Sequence, residues 1–355
     1  MPEKEVLEIN QFLGRVIMGD CIEVLKSISD NYIDAIITDP PYEIGFMGKK
    51  WDSTGIAYNV KLWKECLRVL KPGGHILAFG GTRTYHRMAS AIEDAGFEIR
   101  DMIEWVYGSG FPKSLNIGKA VDKLQGNERV FVCKNPANRP YNLTKGETST
   151  GWKAPIRPDK DKGTSEWEGW GTALKPAHEP ICMARKPLAE KTVAQNVLKY
   201  GTGGINIDES RVEGKLEGDP NRFAKTDGGS FNKFSYAEPV VRNEGRFPAN
   251  LIHDNSEEVR ECFPETNKQA KCKTDNKSGW QTQLVGGKVK NPIERKLYLD
   301  DDNGGNASRF FKSIIYQAKS SKSDRNSNGA VKNIHPTCKP TKLMEYLIKM
   351  VTPKG

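Results

Sequence analysis

The chain has 355 residues, with 54 Lys and Arg against 45 Asp and Glu, a formal net charge of +9. That length suggests two domains or one with a large insertion, and the basic balance favours a polyanionic partner. No stretch approaches the roughly 18 consecutive apolar residues of a membrane-spanning helix, and Met1 to Glu5 lacks the basic start and apolar block of a signal peptide. Membrane and secreted classes are set aside and a cytoplasmic site is expected.

From residue 15 to about 125 the pattern alternates strand and helix, as a mostly parallel α/β sheet requires. Val16 to Met18 and Ile33 to Thr38 read as strands flanking a helix that carries Cys21, Val24, Leu25 and Ile28. A second helix carries Leu62, Trp63, Cys66, Leu67 and Leu70, and Lys71-Pro72-Gly73-Gly74 stops it because Pro and Gly forbid continuation. His75 to Phe79 reads as a strand, Thr84 to Ala95 as a helix ended by Gly96, and Phe97 to Trp105 as a further strand.

Beyond residue 125 the regularity fades. Asn135 to Lys175 is rich in Pro, Gly, Lys and Thr, with Trp152, Trp167 and Trp170 among the charges, as in an inserted loop-rich lobe. Pro180 to Ala184 reads as a strand and Ala189 to Tyr200 as a helix, for which Gly201 is a C-cap. Arg211 to Asn243 and Asn267 to Gly305 are polar and low in large apolar residues. Phe310 to Ala318 reads as a strand, and Thr341 to Val351 as a helix with Pro340 at its first position. The expected division is 13–125 as the catalytic half of an α/β domain, 126–309 as an insert bearing target recognition, and 310–355 as a return to the core.

The seven cysteines are scattered without a Cys-x-x-Cys pair, which argues against a disulfide framework and a zinc ribbon. His75, His86, His178 and His253 show no metal-ligand spacing, and ordinary core or surface roles are expected. Val285-Gly286-Gly287-Lys288 lacks the upstream Gly of a phosphate-binding loop and reads as a flexible basic loop. The three tryptophans read as a small core of the lobe, or as surfaces for bases. Arg185 and Lys186 read as a solvated pair, or as phosphate contacts.

Asp39-Pro40-Pro41-Tyr42 follows the apolar strand Ile33 to Thr38 directly, and in open α/β sheets ligands gather beyond the carboxyl ends of strands. These residue types suit a planar base bearing an exocyclic amine. The Asp39 carboxylate and the Pro40 carbonyl would accept its two N–H groups and favour pyramidalisation of a poorly nucleophilic nitrogen. The prolines would hold the turn, and the Tyr42 ring would stack on an extruded base, a contact worth about 1–3 kcal/mol.

Gly19-Asp20-Cys21, Val69-Leu70-Lys71-Pro72-Gly73-Gly74 and His335-Pro336-Thr337-Cys338-Lys339-Pro340 complete a spaced set with that box. Here the chain resembles the β-class DNA amino-methyltransferases, from about residue 13 to the last residue. The resemblance implies a Rossmann-like methyltransferase sheet interrupted by a recognition lobe. It also implies methyl transfer from S-adenosylmethionine to adenine N6 or cytosine N4 of a flipped base in double-stranded DNA, with a mild lean to adenine from Asp39. It makes Asp39, Pro40, Pro41 and Tyr42 catalytic, and places Asp20, Asp39, His335, Thr337, Lys339 and Pro340 beside the cofactor. A restriction nuclease partner and the cytoplasm of a bacterial or phage-infected cell go with it. Trp105 to Ser114 resembles the family's approach to its target-recognition region.

The family pattern continues, after the segment matching Val351 to Gly355, into a strand ending in Asp-Pro-Phe and a Gly-rich turn. No Phe-x-Gly-x-Gly occurs in this sequence. Part of the sheet is therefore expected to be absent, through truncation, supply by another polypeptide, or loss of catalysis, and weak cofactor binding by this chain alone is expected. The rival readings are a catalytically dead DNA-binding remnant and methylation of another planar amide.

Overall fold

The computed structural model describes residues 14, 16–45, 50–110, 112, 114–133, 160–213, 216–218, 240–242, 245–266, 305–314 and 338–353. Trp152, Val285 to Lys288, His335, Thr337 and the end of the strand expected at Phe310 to Ala318 lie outside them. Residues 1–109 with 178–355 form one compact unit and residues 110–177 a second.

The first unit opens with α1 (Cys21–Lys26), β1 (Ile33–Thr38), α2 (Val60–Val69), β2 (Leu70–Phe79), α3 (Tyr85–Asp94) and β3 (Glu98–Val106). The second unit holds α4 (Ile117–Gln125), β4 (Val130–Cys133) and β5 (Lys160–Lys162). The first unit resumes with β6 (His178–Arg185), α5 (Val193–Tyr200), α6 (Ile207–Ser210), β7 (Leu216–Gly218), β8 (Val240–Arg242) and β9 (Leu251–His253). It closes with α7 (Glu257–Arg260), β10 (Glu265–Thr266), β11 (Gly305–Asn306), β12 (Lys312–Ser313) and α8 (Thr341–Val351).

Six strands form one sheet in the order β1-β2-β6-β3-β9-β12. β1 is parallel to β2, and β3, β9 and β12 are parallel to one another, while β6 runs antiparallel to both its neighbours. The expected mostly parallel α/β sheet is therefore present. The carboxyl ends of five strands and the start of β6 share one edge.

Alternation along the central strands explains the two cores. Ile76 and Ala78 of β2 with Cys182 and Ala184 of β6 pack under α2 and α3 with Trp63 and Ile92. Leu77 and Phe79 with Ile181 and Met183 pack on the other face against Leu343, Leu347 and Met350 of α8. Both faces are covered, which is why these strands read as continuous apolar runs rather than alternating ones. β6 and β9, which fall within the segment 126–309, also belong to this sheet.

Three local readings change. β2 runs back to Leu70 through Pro72-Gly73-Gly74, with an irregular register opposite Ile33 to Ala35. Gly73 has φ +80, and a Cβ there would lie 2.6 Å from the amide nitrogen of Asn196. That buried amide donates to the carbonyls of Pro72 and Thr202, both at 2.8 Å. Val16 to Met18 forms no strand, and Val16 and Met18 are fully exposed; no described strand lies beside them to pair with. Helix α8 begins at Thr341, one residue after Pro340, whose carbonyl accepts from Leu343 and Met344. Gly201 ends α5 with φ +76, as a C-cap requires.

β1 pairs with β2 alone among the described residues, and all six of its residues are half-buried despite four apolar side chains. Among the described residues, one edge of the sheet thus presents unpaired backbone groups and apolar surface.

In the second unit, α4 is capped by Asn116 and ended by Gly126. Arg129 gathers the carboxylates of Asp122, Asp161 and Glu168. Trp167 and Trp170 meet edge to face at 5.0 Å and stay 40% and 60% exposed, so they form a surface pair rather than a core.

His75 is buried in β2 beside Arg185 and Arg100, and its Nδ1 has no hydrogen-bond partner among the described residues. Burial first, then the two guanidiniums, lower its pKa from 6.5 to about 4. Between those values the unfolded chain binds a proton that the folded chain refuses, so stability falls as pH drops from about 6.5 to about 4, by about 3 kcal/mol in full. Denaturant midpoints across that range should fall less steeply in His75→Leu than in the parent. Equal slopes would remove His75 from the acid sensitivity.

Candidate active site

β1 delivers Asp39 to the carboxyl edge of the sheet, and the two prolines that follow have no N–H to leave unsatisfied at the strand end. The Tyr42 carbonyl accepts from Thr84 Oγ1 at 2.7 Å, which ties the turn to the start of α3. From the far end of the chain, Lys339 reaches the same place just before α8. From β6 comes Glu179, which becomes an edge residue because β6 runs opposite to its neighbours.

These four side chains form one cluster. Lys339 Nζ lies 2.7 Å from Glu179 Oε2, 2.7 Å from the Tyr42 hydroxyl and 3.3 Å from Asp39 Oδ1. The Tyr42 hydroxyl donates to Glu179 Oε2 at 3.1 Å. The ammonium also lies over the rings of Tyr42 and Phe79, at 5.0 and 4.9 Å from their centroids. The Lys339 side chain is 11% exposed and that of Asp39 28%, so one charge is nearly sealed while the other opens toward solvent.

The electrostatics follow from that packing. Burial raises the Asp39 pKa, the Lys339 ammonium opposes the rise, and the Glu179 carboxylate adds to it. Tyr42 is held well above its ordinary value by burial and by both carboxylates, so its hydroxyl keeps its proton. Two carboxylates against one ammonium leave the ionised cluster with a formal charge of −1.

Among the sequence candidates, Asp39, Tyr42 and Lys339 are brought together, with Pro40 and Pro41 shaping the turn and Pro340 opening α8. Asp20 stands apart as the N-cap of α1, its Oδ1 accepting from the N–H groups of Ile22 and Glu23 at 3.0 and 3.2 Å. Arg185 and Lys186 are not a solvated pair. Arg185 is buried and donates to Glu98 at 2.6 Å, while Lys186 bonds the Asn31 side chain and the Leu70 carbonyl, both at 2.7 Å. Glu179 escaped the sequence reading. Its only signal was a carboxylate directly preceding an apolar strand.

The profile of a family described as DNA methylase, of the N6/N4 class, matches residues 33–355. The chain belongs to that family. It is similar to the Type II methyltransferase M.HpaI of Haemophilus parainfluenzae, 33% identical over 138 residues that cover 36% of this chain and 41% of that protein. It is also similar to the Type II beta methyltransferase M.BslI of Bacillus sp. (strain NEB-606), 40% identical over 159 residues, 36% of this chain and 17% of that protein. These matches span less than half the length of either relative. Among solved structures, it is similar to the cytosine-N4-specific PvuII DNA methyltransferase, at 13% identity over 94% of this chain and 69% of that one, with a TM-score of 0.37.

Proposed function

We propose that this chain carries the amine-binding half-site of an S-adenosylmethionine-dependent DNA methyltransferase that modifies adenine N6, or cytosine N4, of a base extruded from the duplex. The observation that carries the reading is the cluster of Asp39, Tyr42, Glu179 and Lys339 at the carboxyl edge of the sheet. Its net negative charge suits a cationic sulfonium. Asp39 and Lys339 of this cluster, with the adjacent Pro340, are the described residues that would hold that cofactor, and Asp20 is assigned to it by family resemblance. His335 and Thr337 join them by family resemblance.

When bound, S-adenosylmethionine supplies an electrophilic methyl group. The protein's part is to prepare the nucleophile. Asp39 Oδ accepts one amine N–H and the Pro40 carbonyl the other, drawing the nitrogen lone pair out of the ring. As the nitrogen gains its methyl group, Asp39 is placed to take the proton it sheds. Lys339 holds Asp39 ionised and in place, and Tyr42, anchored through its hydroxyl, offers ring surface to the base. Extrusion costs a few kcal/mol, offset by stacking and by phosphate contacts. A restriction nuclease partner and a cytoplasmic site accord with this reading, and among the described residues no helix is long and apolar enough to cross a membrane.

Among the described residues β1 pairs with β2 alone, and we propose that full cofactor affinity requires a further strand on its other edge. The reading is tested by methyl transfer from labelled S-adenosylmethionine to mixed-sequence duplex DNA, using this chain and a version extended by a family-like Asp-Pro-Phe strand and Gly-rich turn. Mass spectrometry of the DNA should find N6-methyladenine or N4-methylcytosine with the extended version. Neither product from either protein would refute the methyltransferase reading. Equal robust activity from both would refute the need for the strand.

The basic segment 126–309 is proposed to carry most of the DNA contact, with log affinity falling against log salt at about −0.9 per phosphate neutralised. In the second unit, Lys162 and Lys175 of that segment and Lys123 just before it are exposed. Replacing all three with Gln should make the slope shallower by about 0.9 for each lysine that meets a phosphate. An unchanged slope would exclude these lysines from the interface.

A further inference from the structure

A cavity of about 440 Å³ lies beyond the carboxyl ends of β9 and β12, at His253 and Ser313. It belongs to the first unit and to the same sheet edge as Asp39, but to the opposite flank. Three cations line it, Arg260, Arg309 and Lys312, against one carboxylate, Glu213. Neither Arg260 nor Lys312 forms an ion pair among the described residues. The Lys312 ammonium lies 5.2 Å from the Tyr346 ring centroid. Arg309 is fixed by the carbonyls of Gly305 and Asn306 and by Thr266 Oγ1, each at 2.7 Å, and lies 4.4 Å from the Phe310 ring centroid.

The floor adds no charge. His253 is buried, its Nδ1 accepts the Asn255 N–H at 3.1 Å, and its Nε2 faces the Ser308 carbonyl at 3.1 Å, an arrangement that requires the neutral ring with its proton on Nε2. Burial lowers its pKa, in keeping with that form. Three cations against one carboxylate give the described lining of this polar cavity a net positive charge, which a phosphate oxyanion satisfies best because it accepts from several donors at once.

We propose that this cavity is a phosphate subsite that grips the DNA backbone on one flank of the target base, an assignment that rests on the DNA methyltransferase reading above. Four strand spacings of about 4.8 Å separate β1 from β9, so the subsite lies roughly 19 Å along the sheet from Asp39. At 3.4 Å per base pair that is roughly six base pairs, within the reach of one protein on one duplex.

The test is DNA binding by fluorescence anisotropy across a salt series, comparing the parent with the double variant Arg260→Gln, Lys312→Gln. The log–log slope should become shallower by about 1.8, two phosphate contacts' worth, on any DNA sequence. The charge-conserving pair Arg260→Lys, Lys312→Arg should keep the parental slope, which separates lost charge from lost folding. Inorganic phosphate and pyrophosphate, titrated by calorimetry into parent and variant, form the second arm. An unchanged slope in the Gln variant overturns the subsite while leaving the methyltransferase reading intact. Pyrophosphate binding that the Gln variant abolishes, with DNA binding unaltered, also overturns it and makes the cavity a site for free phosphates. A parent with no salt-dependent DNA binding overturns both readings.

Discussion

Asp39→Ala should lower methyl transfer by about 10³-fold or more in a protein able to methylate, while duplex affinity stays within about twofold of the parent. The side chain lies at the end of β1, 28% exposed and 3.3 Å from the Lys339 ammonium, where it can accept an N–H from the amine and then its proton. Positioned proton transfer contributes about 10²–10⁴, and loss of the acceptor also returns the amine lone pair to the ring. Asp39→Asn keeps an acceptor oxygen without the charge and should fall between the two. Single-turnover transfer with both substrates saturating measures the chemical step, and anisotropy measures binding. Turnover of Asp39→Ala within about tenfold of the parent would sink the assignment.

The second large effect concerns Lys339, a single ammonium shared by two carboxylates and a phenol. Lys339→Met keeps much of the aliphatic length but leaves Asp39 and Glu179 facing each other without a counter-charge. Burial and Glu179 both raise the Asp39 pKa and Lys339 opposes them, so removing Lys339 raises it further. Activity needs the ionised carboxylate. The acid limb of the pH–rate profile should therefore move to higher pH in Lys339→Met, with a loss of about 10²-fold at neutral pH. Glu179→Gln removes the neighbouring negative charge instead, so its acid limb should move to lower pH. Shifts of opposite sign are the signature of electrostatic control by the cluster. Parallel shifts, or none, would reduce Lys339 and Glu179 to packing residues. Stability of Lys339→Met should fall by about 2 kcal/mol, because breaking one partner of a largely buried pair strands the other.

The α/β order of the first hundred residues was legible because β1 and β2 are short apolar runs between turn residues and the helices carry regular apolar spacing. Asp39 and Lys339 were legible as parts of separate motifs, 300 positions apart. Their meeting was not, since it depends on α8 packing against Leu77 and Phe79 at the same edge. Glu179 was hidden for a topological reason: a residue that begins a strand stands at the carboxyl edge only if that strand runs backwards. Arg185 misled in the converse way. It follows an apolar run as a surface cation would, yet it ends the antiparallel strand at the opposite edge, where Glu98 covers it. Val16 to Met18 has strand composition, but a strand exists only when a neighbour takes up its backbone groups.

The antiparallel strand in the middle of the sheet also governs when the protein can assemble. Among the described residues β3 pairs with β6 and β9, and β6 joins β3 to β2. On a ribosome, the β1-β2 pair therefore emerges with an open apolar flank, and β3 emerges with no partner. Closure waits until β6 has been synthesised, after residues 110–177 of the second unit have passed. At roughly 5–20 residues per second, the roughly 100 residues from the end of β2 to the end of β6 hold that flank open for about 5–20 s. The nascent chain is thus a client for chaperones over that interval, and slowing translation between codons 110 and 177 should lower soluble yield while leaving the stability of the finished protein unchanged.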